Sequence, residues 1–163
     1  MSAVLENTCC FIGHREINVT DELKEKLRVV IECLIVDENI NKFLFGSKSQ
    51  FDDLCYDIVT EIKKKYPHIK RIFVRAEYPY IDENYEAYLL ESYEDTYFPK
   101  SVLGAGKASY VKRNCEMIDN SRFCILYYKE DYSPKGRKSG TKIALAYAEK
   151  KKKTIIIFPE VIK

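Results

Sequence analysis

Short apolar runs alternate with helix-length amphipathic runs along this chain, and no other property restricts its possible folds as strongly. Thr8 to Ile12 is an apolar run stopped by Gly13, too short for a helix and of the right length for a buried strand. Thr20 then stands as an N-cap before Asp21 and Glu22, and Leu23, Leu27, Val30, Ile31 and Leu34 recur at helical spacing. Lys42 to Phe45 gives a second strand ending at Gly46. Phe51, Leu54, Cys55, Ile58, Val59 and Ile62 mark a second helix that ends near Pro67. Arg71 to Val74 makes a third strand, and Phe123 to Tyr128 and Thr154 to Phe158 complete five. Helical patterns cover Lys107 to Asn120, through Tyr110, Val111, Met117 and Ile118, and Lys142 to Lys153.

This order predicts an α/β fold: a Rossmann-like three-layer sandwich with a mainly parallel five-stranded sheet. The stretch from Glu77 to Gly106, rich in Tyr, Glu, Asp and Pro, has no sustained period and reads as an insertion or long loop, with a short helix at Asn84 to Tyr93. The 163 residues suit one domain, 1–163.

Twenty-seven basic and 25 acidic residues leave a formal charge of +2, too balanced to imply nucleic-acid binding by charge alone. Lys150 to Lys153 sits at a helix C-terminus, where cations complement the dipole. The six cysteines show no metal-ligand spacing and most read as small buried hydrophobes; neither a metal nor a cofactor is expected. The opening residues lack a basic stretch before a long apolar run, and no segment approaches the ~20 apolar residues of a bilayer span. A cytoplasmic protein with reduced thiols, and no membrane partner, is the expectation.

Parallel α/β sheets bind ligands at the carboxyl ends of their strands, so the residues at those exits are the candidate site. They are Gly13, His14 and Arg15 after the first strand, Gly46 and Ser47 after the second, Arg75-Ala76-Glu77 after the third, and Ser139-Gly140-Thr141 beyond the fourth. Glycine lets backbone approach closely, Ser and Thr donate hydroxyl hydrogen bonds, and Arg grips phosphate in a bidentate way. The helix start at Ser139 also offers backbone N–H groups to an anion. Turn and capping chemistry favours the same residue types without any ligand. No Walker A or Gly-x-Gly-x-x-Gly pattern is present: Gly104-Ala105-Gly106-Lys107 lacks the preceding strand and the spacing.

Cys10-Phe11-Ile12-Gly13-His14-Arg15, Arg113-Asn114 with Met117-Ile118-Asp119-Asn120-Ser121, and Ser139-Gly140-Thr141 before the last helix occur in an order that resembles the SLOG superfamily. That superfamily has a Rossmann-like fold and includes the LONELY GUY phosphoribohydrolases, Smf-type DNA-processing proteins and small bacterial proteins whose first strand ends in Gly-His-Arg. The resemblance is greatest to the last group. It implies a pocket for a nucleotide or nucleotide-derived ligand framed by the Gly13 and Gly46 exits, Arg113 and Asn114, and the Ser139-Gly140-Thr141 turn, with Lys107 and Arg15 as further cations.

LONELY GUY enzymes carry a glutamate two residues after the threonine of this turn, and here that position is Ile143. Isoleucine neither stabilises an oxocarbenium-like centre nor activates water. Binding or sensing is therefore the first expectation. An N-glycosidic-bond hydrolase or transferase is the second, with Asp119 or Glu116 as candidate carboxylates. Single-stranded DNA binding through Tyr78, Tyr80, Tyr85 and Tyr88 is the third, although these rings serve a homo-oligomer contact equally well.

Overall fold

In the computed structural model, which describes residues 6–46, 48–129 and 139–159, six strands form one sheet. Along the chain run β1 (Thr8–Gly13), α1 (Asp21–Asp37), β2 (Lys42–Phe45), α2 (Gln50–Lys63), β3 (Lys70–Val74), α3 (Glu83–Leu90), β4 (Asp95–Tyr97), α4 (Ser109–Asp119), β5 (Phe123–Tyr127), α5 (Gly140–Lys150) and β6 (Thr154–Phe158). The sheet order is β4-β3-β2-β1-β5-β6, and every neighbouring pair is parallel. This is a doubly wound α/β arrangement, consistent with a Rossmann-like fold.

The expected five strands become six. The additional one, β4, lies in the stretch read as an insertion or long loop: Asp95, Thr96 and Tyr97 pair with Ile72, Phe73 and Val74. Three residues with one carboxylate carry no apolar signal of their own. The strand forms because β3 offers an open edge, where the Arg75 N–H donates to Tyr97 O at 2.9 Å and Thr96 Oγ1 donates to Phe73 O at 2.8 Å. Glu94 fixes the approach with its carboxylate on the Arg71 guanidinium at 2.6 Å.

The pleat of the central strands sorts side chains into two cores. Cys9 and Phe11 of β1 and Ile125 and Tyr127 of β5 pack with Leu27, Ile31, Phe51 and Ile58 from α1 and α2. Cys10, Ile12, Cys124 and Leu126 pack on the opposite face with Met117 and Ile118 of α4 and Ala144 and Ala148 of α5. β1 is thus covered on both faces, which explains its uninterrupted apolar sequence. Of the cysteines, Cys9, Cys10, Cys55 and Cys124 are buried, Cys115 is half-buried and Cys33 is exposed. Among the described residues, no helix is long and apolar enough to cross a membrane.

Helix ends follow local chemistry. Thr20 Oγ1 accepts the Leu23 N–H at 3.0 Å, and Ser49 Oγ accepts the Asp52 N–H at 3.0 Å. The lysine run closes α5: Lys152 N–H donates to Glu149 O and Lys153 N–H to Ala148 O, the paired bonds of a Schellman turn. This turn puts exposed Lys152 at φ 58°, a left-handed conformation that disfavours any residue with a Cβ. Replacing Lys152→Gly is expected to raise stability by roughly 0.5–1 kcal/mol in urea unfolding, after allowing for the greater freedom of glycine in the unfolded chain. A loss of stability would contradict this account of the turn.

Candidate functional site

Chain progress reverses at the seam between β1 and β5, because strands β2, β3 and β4 are added on one side of β1 and β5 and β6 on the other. Such a reversal leaves a crevice beyond the strand carboxyl ends. A pocket of about 1170 Å³ opens there, lined from the exits of β1, β2 and β3 and from the starts of α4 and α5.

Gly13 and Gly46 line it for a reason that concerns the protein itself. A Cβ on Gly13 would stand 2.4–2.6 Å from Phe51, whose ring is fully buried beneath the β1 exit. A Cβ on Gly46 would stand 2.7 Å from Arg113 Cδ and 2.8 Å from Met117 Sδ. The missing side chains thus let Phe51 and Arg113 pass under the pocket floor.

His14 spans the crevice. Its N–H donates to Tyr127 O at 3.3 Å, while its ring lies 5.4 Å from that of Tyr128. Nε2 stands 2.9 Å from Lys129 N and 3.2 Å from Lys129 O. One nitrogen cannot accept from the first and donate to the second at once. The shorter contact makes Nε2 the acceptor, with the proton on Nδ1. Burial pushes the imidazole below its ordinary value, partly opposed by the Lys129 backbone, in keeping with a neutral ring.

Arg113 is a buried cation, 3% exposed. Its Nη1 donates to Gly46 O at 2.5 Å, Nε donates to Asn114 Oδ1 at 3.0 Å, and the guanidinium lies 5.5 Å from the Tyr110 ring centre. Among the described residues no carboxylate reaches it at salt-bridge distance. Burial lowers its pKa, and Asp52, Tyr110 and Glu77 oppose the shift from farther away. Asp52 is itself engaged, with Oδ2 accepting the Gly46 N–H at 3.1 Å.

At α5, Ser139 Oγ accepts the Lys142 N–H at 3.0 Å as an N-cap. The N–H groups of Gly140 and Thr141 have no protein acceptor among the described residues and stand at the pocket wall. The third wall is aromatic: Tyr78, Tyr85 and Tyr110, with the Tyr78 and Tyr85 rings 5.8 Å apart edge to face. The Tyr110 hydroxyl donates to the Glu77 carboxylate.

The pocket therefore brings together Gly13, His14, Arg15, Gly46, Arg113, Asn114, Ser139, Gly140 and Thr141. Ser47 lies outside the described residues. Lys107 is exposed in a 3-10 turn at Gly106–Ala108 and is not part of the lining. Asp119 stands at the opposite end of α4, where it accepts the Tyr147 hydroxyl at 2.8 Å and pairs with Lys151 at 3.6 Å. Glu116 accepts the Ser101 hydroxyl at 2.9 Å and likewise does not line the pocket. The β3 exit, Arg75 with Glu77, lines the pocket as the strand ends suggested, and Tyr78 and Tyr85, read as stacking or oligomer rings, line it too. Tyr110, read as an apolar helix position, is a lining residue that carried no sign of a site role.

Fold and site define a parallel α/β protein with a basic and aromatic pocket at the reversal of its strand order. The sequence is 31% identical over 147 residues to the uncharacterized SPbeta prophage-derived protein YoqJ of Bacillus subtilis (strain 168), a match covering 79% of this chain and 81% of that protein. The chain belongs to the family of that prophage protein. No family model matches the sequence.

Two outcomes follow from this geometry. Gly13→Ala is expected to cost more stability in urea unfolding than Gly46→Ala. The first meets a rigid buried ring at a cost of about 1–3 kcal/mol, the second the flexible ends of Arg113 and Met117. The opposite ranking would refute the packing argument. For His14, a folded-state pKa below the unfolded value means that the unfolded chain takes up the proton first. Stability is then lost as pH falls through the unfolded value of about 6.5, and levels off below the folded value. His14→Gln is expected to remove that part of the pH dependence, read as the difference in unfolding free energy from the parent chain between about pH 8 and pH 5. A difference that does not vary with pH would count against the neutral, accepting ring.

Proposed function

We propose that this protein binds a nucleotide or nucleotide-derived ligand in the pocket at the β1–β5 seam, as a binding or sensing module of the SLOG type. One observation carries the reading: Gly140 and Thr141, whose N–H groups have no acceptor among the described residues, line the same pocket as the buried Arg113, which has no carboxylate at salt-bridge distance among them. A helix N-terminus and a guanidinium both favour an anion, and phosphate satisfies both. The tyrosine wall offers a planar ring the faces it stacks on. The Gly13-His14-Arg15 exit and the Ser139-Gly140-Thr141 turn support the SLOG likeness, since both line the pocket.

Binding is carried forward rather than N-glycosidic cleavage, because neither Glu116 nor Asp119 lines this pocket, and of the carboxylates that do, Glu16 and Glu77, Glu77 is engaged by the Tyr110 hydroxyl. Single-stranded DNA is disfavoured by charge. Glu77, Asp82, Glu83, Glu86, Glu91, Glu94 and Asp95 surround the tyrosines, with no Lys or Arg between Arg75 and Lys100, so a phosphodiester backbone is repelled there.

Gly140→Asp tests the reading directly. Gly140 is exposed and a Cβ there meets nothing within 4 Å, so the change is sterically free. A carboxylate in the first turn stabilises the helix by about 0.3–1 kcal/mol while opposing an incoming phosphate. Calorimetric titration with the nucleoside 5′-monophosphates is expected to show binding to the parent chain and at least about a tenfold loss in Gly140→Asp, with the unfolding midpoint unchanged or raised. No binding by the parent chain, or equal affinity in the variant, would overturn the proposal.

A further inference from the structure

The aromatic wall of the pocket contains a group that no phosphate accounts for. Glu77 follows the β3 exit, is exposed, and lines the pocket with Tyr78, Tyr85 and Tyr110. An ionised carboxylate accepts hydrogen bonds and donates none, so it repels the same phosphate that Arg113 and the start of α5 attract. The protein does not neutralise it by contact. Among the described residues no lysine or arginine pairs with Glu77 at salt-bridge distance, and Arg113 acts on it only from farther away.

One oxygen of this carboxylate is already placed. The Tyr110 hydroxyl donates to Oε1, and that bond raises the pKa of the phenol, which keeps its proton as the donor. Oε2 has no hydrogen-bond partner among the described residues. Oε1 retains a second lone pair, because each carboxylate oxygen accepts two bonds. The wall thus offers a held pair of acceptors beside the exposed rings of Tyr78 and Tyr110. A planar ring stacked on such a face has its edge free to meet a neighbouring carboxylate.

The bases differ at that edge. Guanine carries a ring N–H and an amino group side by side, so both donate to one carboxylate as a guanidinium does. Adenine and cytosine set an amino group next to an unprotonated ring nitrogen, and uracil sets its single N–H between two carbonyls. Each of these brings a lone pair against the second oxygen. We propose that Glu77 reads the base of the bound nucleotide and selects guanine through the paired donors of its Watson–Crick edge. The assignment rests on the nucleotide reading for phosphate and ring, and it narrows the ligand class to guanine nucleotides and their derivatives. Glu77 is then a specificity residue, with Tyr110 holding its carboxylate.

Calorimetric titration of the parent chain with GMP, IMP and AMP tests this, in EDTA so that no divalent cation bridges carboxylate and phosphate. GMP is expected to bind at least about tenfold more tightly than AMP. IMP, which keeps the ring N–H and lacks the amino group, is expected to fall about tenfold below GMP. Glu77→Gln preserves an acceptor for Tyr110 and turns the other oxygen into a donor group. It is expected to weaken GMP at least about tenfold and to leave AMP unchanged or tighter, with the unfolding midpoint unmoved. The three nucleotides share ribose and phosphate, so an equal loss for all three in Glu77→Gln assigns the carboxylate to the ribose and overturns the proposal. IMP binding as tightly as GMP removes the paired contact. Equal binding of GMP and AMP by the parent chain overturns the guanine assignment and leaves the nucleotide reading standing, whereas no binding of any of the three removes both.

Discussion

Five register pairs, from Cys9 with Phe123 to Gly13 with Tyr127, join β1 to β5, and the direction of strand addition reverses across that seam. Every element of the pocket takes its place from this pairing. It sets the β1 exit beside the β5 exit, so His14 reaches Lys129, and it sends α5 to the face opposite α1 and α2. The strands at the seam are buried on both faces, so their register is held by two cores at once. A one-residue slip would exchange Phe11 and Tyr127 for the smaller side chains that face α4 and α5.

The pocket that results is basic at its floor and aromatic on one wall. Arg113 passes under Gly46 and is held by its carbonyl, so the missing side chain at Gly46 and the buried cation are one construction. Glu77 and Tyr110, 33 residues apart in sequence, close the wall through a hydrogen bond between their side chains. The lining therefore draws on segments that only the folded sheet brings together.

Five strands were legible because each carries an apolar run that the core demands. β4 was not, because its three residues owe their conformation to hydrogen bonds with β3 and not to burial. The glycine, basic and hydroxyl residues at the exits of β1, β2 and β5 were legible because the parallel topology sends all strand ends to one edge. Tyr110 and Tyr85 were not placed in the pocket because nothing in their spacing says that α3 and α4 meet the β3 exit. Asp119 lies away from the pocket for a simple geometric reason. An eleven-residue helix is about 16 Å long, and the pocket sits at the start of α4 while Asp119 ends it.

The central position of β1 also has a consequence in time. β1 is made well before its partner on one side, β5, which lies more than a hundred residues later. Until that partner arrives the growing chain has β1 paired at most with β2, and one backbone edge of this buried strand stays open. Pairings across so long a loop form slowly, because the closure entropy precedes any gain from contact. The nascent chain is therefore exposed to mispairing at Cys9 to Ile12 until β5 is made. A strand paired on both edges in the finished protein thus waits with one edge bare on the way there.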